Sequence, residues 1–97
     1  MPWYRAIIRG ENVFLEMEGA VQRLGFYTNR FIEAATSDQA EHDAIAEIRA
    51  ETKLRNGLRN LTNDPPMLFV DEIVEVASAE IPNVKQGLAF FKSENDG

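Results

Sequence analysis

The sequence predicts an α+β fold, in which a mostly antiparallel sheet of four or five strands carries one main helix on one face. Segments rich in β-branched and aromatic residues lie before and after a single segment with helical periodicity. The length of 97 residues is enough for one domain, and 44% hydrophobic residues are enough for a packed core. We therefore predict one domain over residues 1–97, in the order β-β-β-α-β-β, with residues 93–97 as a frayed tail.

The centre of this prediction is a strand that runs directly into a helix between Gly25 and Thr52. Residues 26–34 have the composition of a strand in a half-buried sheet. Thr36 and Gln39 have the spacing of a capping box, in which each side chain bonds the backbone amide of the other residue. Apolar side chains then recur at intervals of three and four residues, the period of one helix face, at Ala40, Ala44, Ile45 and Ile48.

The N-terminal segment predicts two further strands. Residues 3–9 and residues 13–18 form a hairpin across a turn at Gly10, because glycine tolerates positive φ and the second segment alternates with a period of two. The alternative is one long bent strand with a bulge at Gly10. Residues 20–24 are predicted to form a loop that ends at Gly25.

The C-terminal half predicts the end of the helix and two more strands. Beyond residue 54 the helix either curves or ends near Gly57, where glycine can adopt a left-handed conformation. Two consecutive prolines at positions 65 and 66 are incompatible with a continuing helix. Residues 67–76 are then predicted as a strand, residues 81–83 as a loop, and residues 87–92 as a last short strand.

One helix layer can cover one face of such a sheet and leaves the other face open. The residues expected to face the helix are Ile32, Ala34, Leu68, Val70, Val74 and Val76. The residues expected on the open face, which we predict to be a self-association surface, are Tyr27, Phe31, Met67, Phe69 and Ile73. Because an exposed apolar surface usually marks an interaction site, the predicted partner is a second copy of the chain in a homodimer, and another protein partner is an open alternative.

Composition and charge narrow the classes of function. The net charge of −6, with 16 acidic residues against 10 Lys and Arg, disfavours nucleic-acid binding, which depends on cations that neutralise phosphates. The absence of cysteine excludes disulfides, thiolate catalysis and Cys-ligated metals. The N-terminus lacks the pattern of a signal peptide, and no segment approaches the roughly 18 apolar residues of a membrane span. We predict a soluble cytoplasmic protein with no membrane association and no cofactor.

The best polar and aromatic cluster in the sequence lies at the start of the central strand. Arg23, Tyr27, Asn29 and Arg30 are predicted as ligand-binding residues, because arginine beside aromatic rings can hold a phosphate or stack on a base. The alternative is that Arg30 pairs with a carboxylate on an adjacent strand.

Acid–base and metal chemistry receive little support from the sequence. His42, the single histidine, has only carboxylates near it on the helix, so we predict a solvated helix residue and no metal site. Glu33, Asp71 and Glu72 are candidate carboxylates for an enzyme, which would need a cleft that moves their pKa values apart. Glu72 falls among helix-facing residues, where it pairs with an arginine unless a bulge at Asp71 and Glu72 moves it outward.

The strand at residues 25–34, the Ala-rich helix after it and the strand at residues 69–76 carry a resemblance. They resemble small uncharacterised bacterial α+β proteins that have a strand of the pattern GFYTxRxxEA followed by an Ala-rich helix. A similar order of strand, helix and strand occurs in an archaeal large-subunit ribosomal protein, whose strongly basic surface is missing here. The resemblance covers residues 3–76 in pattern and implies a fold without a functional residue.

Three hypotheses for function follow from the sequence. The leading hypothesis is a non-enzymatic interaction or structural module that self-associates through its open sheet face. The second is a small module that binds an anionic ligand or a single-stranded nucleic acid through Tyr27, Asn29 and Arg30. The third is a carboxylate-based enzyme that uses Glu33, Asp71 or Glu72.

Overall fold

The computed structural model describes residues 1–83 and 87–92 and has the α+β class that the sequence predicts. The elements in chain order are β1 Trp3–Met17, β2 Ala20–Glu33, α1 Ser37–Arg49, α2 Thr52–Gly57, β3 Met67–Val76 and β4 Ala89–Lys92, with a short 3-10 turn at Ser78–Glu80. The sheet has four strands in the order β3-β1-β2-β4, and each neighbouring pair is antiparallel. The predicted frayed tail, residues 93–97, lies outside the described residues.

The first two predicted strands are one long strand. β1 pairs with β2 on both sides of a bulge between Gly10 and Val13, and Asn12 within the bulge has a φ of 58°. The predicted hairpin over residues 3–18 is therefore wrong, and the alternative of one strand with a bulge at Gly10 is confirmed. The real hairpin turn lies at Glu18 and Gly19, whose φ values of 53° and 82° match the twist of the flanking strands.

Two glycines that the sequence predicts as turn residues lie inside strands. An aromatic ring from another strand occupies the space beside each of them, so that no side chain would fit there. A Cβ atom on Gly10 would lie 2.1 Å from Cε2 of Phe26 on the helix side of the sheet. A Cβ atom on Gly25 would lie 2.4 Å from Cζ of Phe91 on the opposite side. The predicted loop over residues 20–24 is accordingly part of β2.

β3 contains a second bulge, at Asp71. Against β1, Ile7 pairs with Glu72 and Ile8 pairs with Val70, so that Asp71 is the extra residue on β3. An extra residue reverses the alternation of side chains between the two faces of a strand. The part of β3 after Asp71 therefore has the opposite alternation from the part before it.

This reversal corrects part of the predicted assignment of faces. Ile73, predicted on the open face, packs against the core instead. Val74 and Val76, predicted to face the helix, pair with Arg5 and Trp3 on the other side of the sheet. Leu68, which precedes the bulge, packs against the core as predicted, and so does Val70.

The helical segment begins at the predicted cap but ends differently from the prediction. Thr36 is the N-cap of α1, and its hydroxyl accepts a hydrogen bond from the Gln39 amide at 3.2 Å. Among the described hydrogen bonds, none from the Thr36 amide to the Gln39 side chain completes the capping box; Gln39 Nε2 instead donates to Asp43 Oδ1 at 2.8 Å. The main helix α1 ends at Arg49, and a separate short helix, α2, ends at Gly57. The left-handed conformation predicted for Gly57 is wrong, because the described glycine with positive φ is Gly19.

The hydrophobic core lies between the helices and the side of the sheet that faces them. It includes Ile32 and Ala34, as predicted. The Phe26 and Phe90 rings pack edge to face, with their centroids 5.8 Å apart. The buried hydrophobic residues are Ala6, Ile8, Val13, Leu15, Leu24, Phe26, Ile32, Ala34, Ala40, Ala44, Ile48 and Leu54.

The segment after α2 completes the edge of β1 beyond the start of β3. The amide of Arg59 donates to the carbonyl of Phe14 at 2.7 Å, and the amide of Phe14 donates to Asn60 Oδ1 at 2.9 Å. Asn60 Nδ2 donates to the carbonyls of Asn12 and Asp64, each at 2.8 Å. One side chain thus satisfies backbone groups of both the bulge and the following loop, which would otherwise lack partners.

We expect Gly10→Ala to lower the free energy of unfolding by about 1–3 kcal/mol, because the added methyl group overlaps the Phe26 ring in a packed core. Urea denaturation followed by circular dichroism measures this change. Gly87→Ala is the matched control, because among the described residues nothing beyond its own chain neighbours lies within 4 Å of its Cβ position. Equal effects of the two substitutions would contradict the role given to the Phe26 ring.

Candidate functional site

The side of the sheet that faces away from the helices, here called the outer sheet face, is an open surface that β1, β2 and β3 share. Strand register and alternation place on it the side chains of Trp3, Arg5, Ile7, Arg9, Arg23, Tyr27, Asn29, Phe31, Glu33, Met67, Phe69, Glu72, Val74 and Phe91. Among the described residues, no helix packs against this face, since α1 and α2 bury their apolar residues on the other side.

Aromatic side chains remain exposed on the outer sheet face. Tyr27 and Phe91 stack with ring centroids 5.6 Å apart and are 46% and 41% exposed. Phe69 is 37% exposed, and the guanidinium carbon of Arg9 lies 4.5 Å from its ring centroid. Of the five residues predicted as a self-association surface, only Ile73 lies elsewhere.

The charged groups of this face are paired within the chain. Arg5 bonds Glu72 at 2.9 Å, and Arg9 bonds Asp71 at 3.0 Å and also contacts Glu11. Glu72 has moved outward because of the bulge at Asp71, as one of the two alternatives for this residue predicted. Two of the three candidate enzyme carboxylates thus form surface ion pairs.

Glu33, the third candidate carboxylate, is exposed at the end of β2, opposite Trp3. This position is ten residues along β2 from Arg23, and Glu33 lines neither the helix-end pocket described below nor the open depressions along α1. The geometry that a carboxylate-based enzyme needs, two carboxylates that converge in a cleft, is absent from the described part of this face.

The four predicted ligand-binding residues are not brought together. Arg23, Tyr27 and Asn29 lie on the outer sheet face, and Arg23 Nε donates to Asn12 Oδ1 at 3.3 Å. Arg30 lies on the opposite side, because consecutive residues of a strand alternate between faces. Strand alternation alone could have predicted this separation, because Asn29 and Arg30 are adjacent in sequence and therefore point to opposite faces.

Arg30 is a buried cation beneath the helices. Its side chain is 2% exposed and bonds Glu47 of α1 at 3.5 Å and Glu51, at the start of α2, at 3.2 Å. The prediction that Arg30 pairs with a carboxylate is therefore confirmed. The predicted location of that carboxylate on a neighbouring strand is wrong, because both partners belong to the helical segment. Nε of Arg30 has no hydrogen-bond partner among the described residues.

A concave site that the sequence did not predict lies on the helix side. We call it the helix-end pocket: a cavity of about 120 Å³ lined by Val13, Phe26, Ile48, Arg49, Leu54, Arg55, Leu58, Pro66 and Leu68. An open groove runs next to it along α1, lined by His42, Ile45, Ala46, Arg49, Ala50 and Arg55. The lining residues come from β1, β2, both helices and the start of β3, so no contiguous motif marks the pocket.

His42 is exposed on α1, as predicted for a solvated helix residue. Within residues 1–83 and 87–92, no group of three or more His, Cys, Asp or Glu side chains is placed to hold a metal ion. No helix in this part of the chain is both long and apolar enough to cross a membrane.

Comparison with known proteins gives no relative from which a function can be transferred. No protein-family model matches the chain, and neither a curated protein nor a solved structure gives a significant match. The resemblance to small bacterial proteins therefore stays a prediction, and the function has to be argued from the surfaces described above.

We expect Arg30→Ala to lower the free energy of unfolding by about 2–4 kcal/mol. The substitution removes the buried cation that bonds Glu51, a carboxylate that is only 20% exposed. The loss is below that of a fully buried pair because water reaches Glu47, which is 45% exposed. Urea denaturation monitored by circular dichroism tests this expectation.

Arg23→Ala is the control for Arg30→Ala, because Arg23 belongs to the same strand and lies exposed on the opposite face. We expect it to change stability by no more than about 0.5 kcal/mol. If the two substitutions lower the free energy of unfolding by the same amount, burial of the side chain does not determine how much each arginine contributes to stability.

Proposed function

We propose that the protein is a non-enzymatic interaction module whose outer sheet face binds a second copy of the chain. The observation that carries this proposal is the exposure of clustered aromatic side chains: Tyr27, Phe69 and Phe91 keep between 37% and 46% of their surface in contact with water. Aromatic rings of this kind supply much of the binding energy at protein interfaces, because they bury a large area at a low cost in side-chain entropy.

Electrostatics favours this face over the rest of the surface for contact between identical chains. The net charge of −6 makes two copies repel each other at long range. On the outer sheet face the charges nearly cancel, because Arg5, Arg9 and Arg23 stand among Glu11, Glu33, Asp71 and Glu72. A second copy therefore meets little net repulsion where its aromatic residues make contact.

The shape of the surface is compatible with a two-fold symmetric dimer. In such a dimer each copy presents the same patch, so the aromatic residues of one copy meet those of the other. Two sheets that pack face to face lie about 10 Å apart with their side chains interdigitated. The long paired strands β1 and β2 provide the rigid base that this kind of packing requires.

The second candidate function is binding of an anionic ligand or a single-stranded nucleic acid. Tyr27 and Asn29 offer a ring and an amide on the outer sheet face, near Arg23. Arg30 is not available to the same ligand, and Arg5 and Arg9 are already neutralised by carboxylates. The net attraction that a phosphate needs is therefore weak on this face, which favours the dimer.

We expect the chain to be a dimer at tens of micromolar and Phe69→Glu to weaken the dimer at least about tenfold, because it places a charge in the apolar centre of the interface. Sedimentation velocity over a range of concentrations measures the dissociation constant. Leu61→Glu is the matched control: Leu61 is 71% exposed but lies in the segment between α2 and β3, so the dimer should persist.

A wild-type chain that stays monomeric at about 100 μM would contradict the proposed dimer. Circular dichroism of Phe69→Glu establishes that the variant is folded, so that loss of the dimer is not loss of structure. Titration with a single-stranded oligonucleotide at two salt concentrations tests the second candidate, which requires affinity that falls as salt rises.

A further inference from the structure

The helix-end pocket differs from the outer sheet face in position and in chemistry. It opens on the helix side of the sheet, between the end of α1, α2 and the start of β3. Its walls are almost entirely apolar, formed by Val13, Phe26, Ile48, Leu54, Leu58, Pro66 and Leu68. The polar side chains that line it belong to Arg49 and Arg55.

These two arginines differ from the others in their surroundings. Both are exposed, and in the described part of the chain neither guanidinium has a hydrogen bond or an ion pair. In contrast, Arg5, Arg9, Arg30 and Arg59 each bond at least one carboxylate. In a chain with 16 acidic residues, two cations left without carboxylates beside one apolar pocket are available for an anion from outside.

The volume of the pocket limits the apolar part of a ligand. The cavity measures about 120 Å³, slightly smaller than an apolar protein cavity of about 150 Å³ that binds benzene. A single phenyl ring or a short alkyl chain is the largest group that fits inside. Anything longer would extend into the open groove along α1.

We infer that the helix-end pocket binds a small carboxylate whose apolar group, a phenyl ring or a short alkyl chain, enters the cavity while Arg49 and Arg55 hold the carboxylate at its mouth. A guanidinium pairs with a carboxylate through two parallel hydrogen bonds, which fixes the orientation of the ligand. Removal of the apolar group from water supplies the rest of the affinity. This site is independent of the proposed dimer, because it lies on the other side of the sheet.

Complementation of the helix dipole does not account for this arrangement. Arg49 and Arg55 both lie in the last turn of a helix, where a cation is favourable. The dipole, however, requires no cavity beside the cations and does not require both cations to line the same one. A second open depression on α1 is lined by Asp38 and Glu41 as well as by Arg49, whereas Arg55 does not line it. The carboxylate is therefore expected at the end of α1 nearest Arg55, away from the acidic start of the helix.

The test is a titration of the full chain with benzoate and, separately, with hexanoate, followed by NMR chemical shifts at low salt. We expect saturable binding with a dissociation constant of about 1 mM or tighter for at least one of them, and the tighter of the two identifies an aryl or an alkyl ligand. Benzyl alcohol, which lacks the charge, and inorganic phosphate, which lacks the apolar group, should each bind at least about tenfold more weakly.

Variants test separately the two arginines at the mouth of the pocket and the apolar cavity. The double variant Arg49→Gln, Arg55→Gln should weaken carboxylate binding at least about tenfold, and Leu58→Phe should weaken it by filling the cavity. Arg59→Gln is the matched control, because Arg59 is paired with Glu16 at 3.1 Å and does not line the pocket, so binding should be unchanged. The absence of saturable binding by both carboxylates, or binding that benzyl alcohol matches or the double variant retains, would overturn the inference.

Discussion

The pairing of β1 with β2 is the constraint on which the rest of the structure depends. The two strands remain paired from Trp3 opposite Glu33 to Met17 opposite Ala20, with one bulge between. β3 and β4 add to the outer edges of this pair, and both helices pack on one side of it. Because side chains alternate with a period of two, a slip of one residue would exchange the two faces and carry the charge of Arg30 to the outside.

The distribution of ion pairs gives the two sides of the sheet different chemistry. On the outer sheet face, arginines and carboxylates of β1 and β3 pair with each other and leave aromatic rings as the exposed feature. On the helix side, the buried Arg30 bonds Glu47 and Glu51, while in the part of the chain that the structure describes Arg49 and Arg55 beside the pocket form no ion pair.

Strand alternation predicted correctly which residues lie on the outer sheet face, up to the bulge that interrupts the alternation in β3. Tyr27, Phe31, Met67 and Phe69 share the outer sheet face, because each lies in a stretch that alternates without interruption up to that point. Ile73 lies beyond the bulge at Asp71, where the alternation reverses. Whether β3 is bulged depends on its register against β1, about 65 residues earlier in the chain.

The sequence by itself determined the class of fold and the elements with clear local signals, such as the cap at Thr36 that begins α1 and the strand over residues 67–76. Only the tertiary structure decided that Gly10 and Gly25 lie within strands, because the rings that cover them come from other strands. It also decided where the helix-end pocket forms, since its lining residues are separated by up to 55 positions. The local spacing of residues determines which secondary structure a segment adopts. Which side chains share a face of the sheet or line a cavity depends instead on which distant residues lie opposite one another.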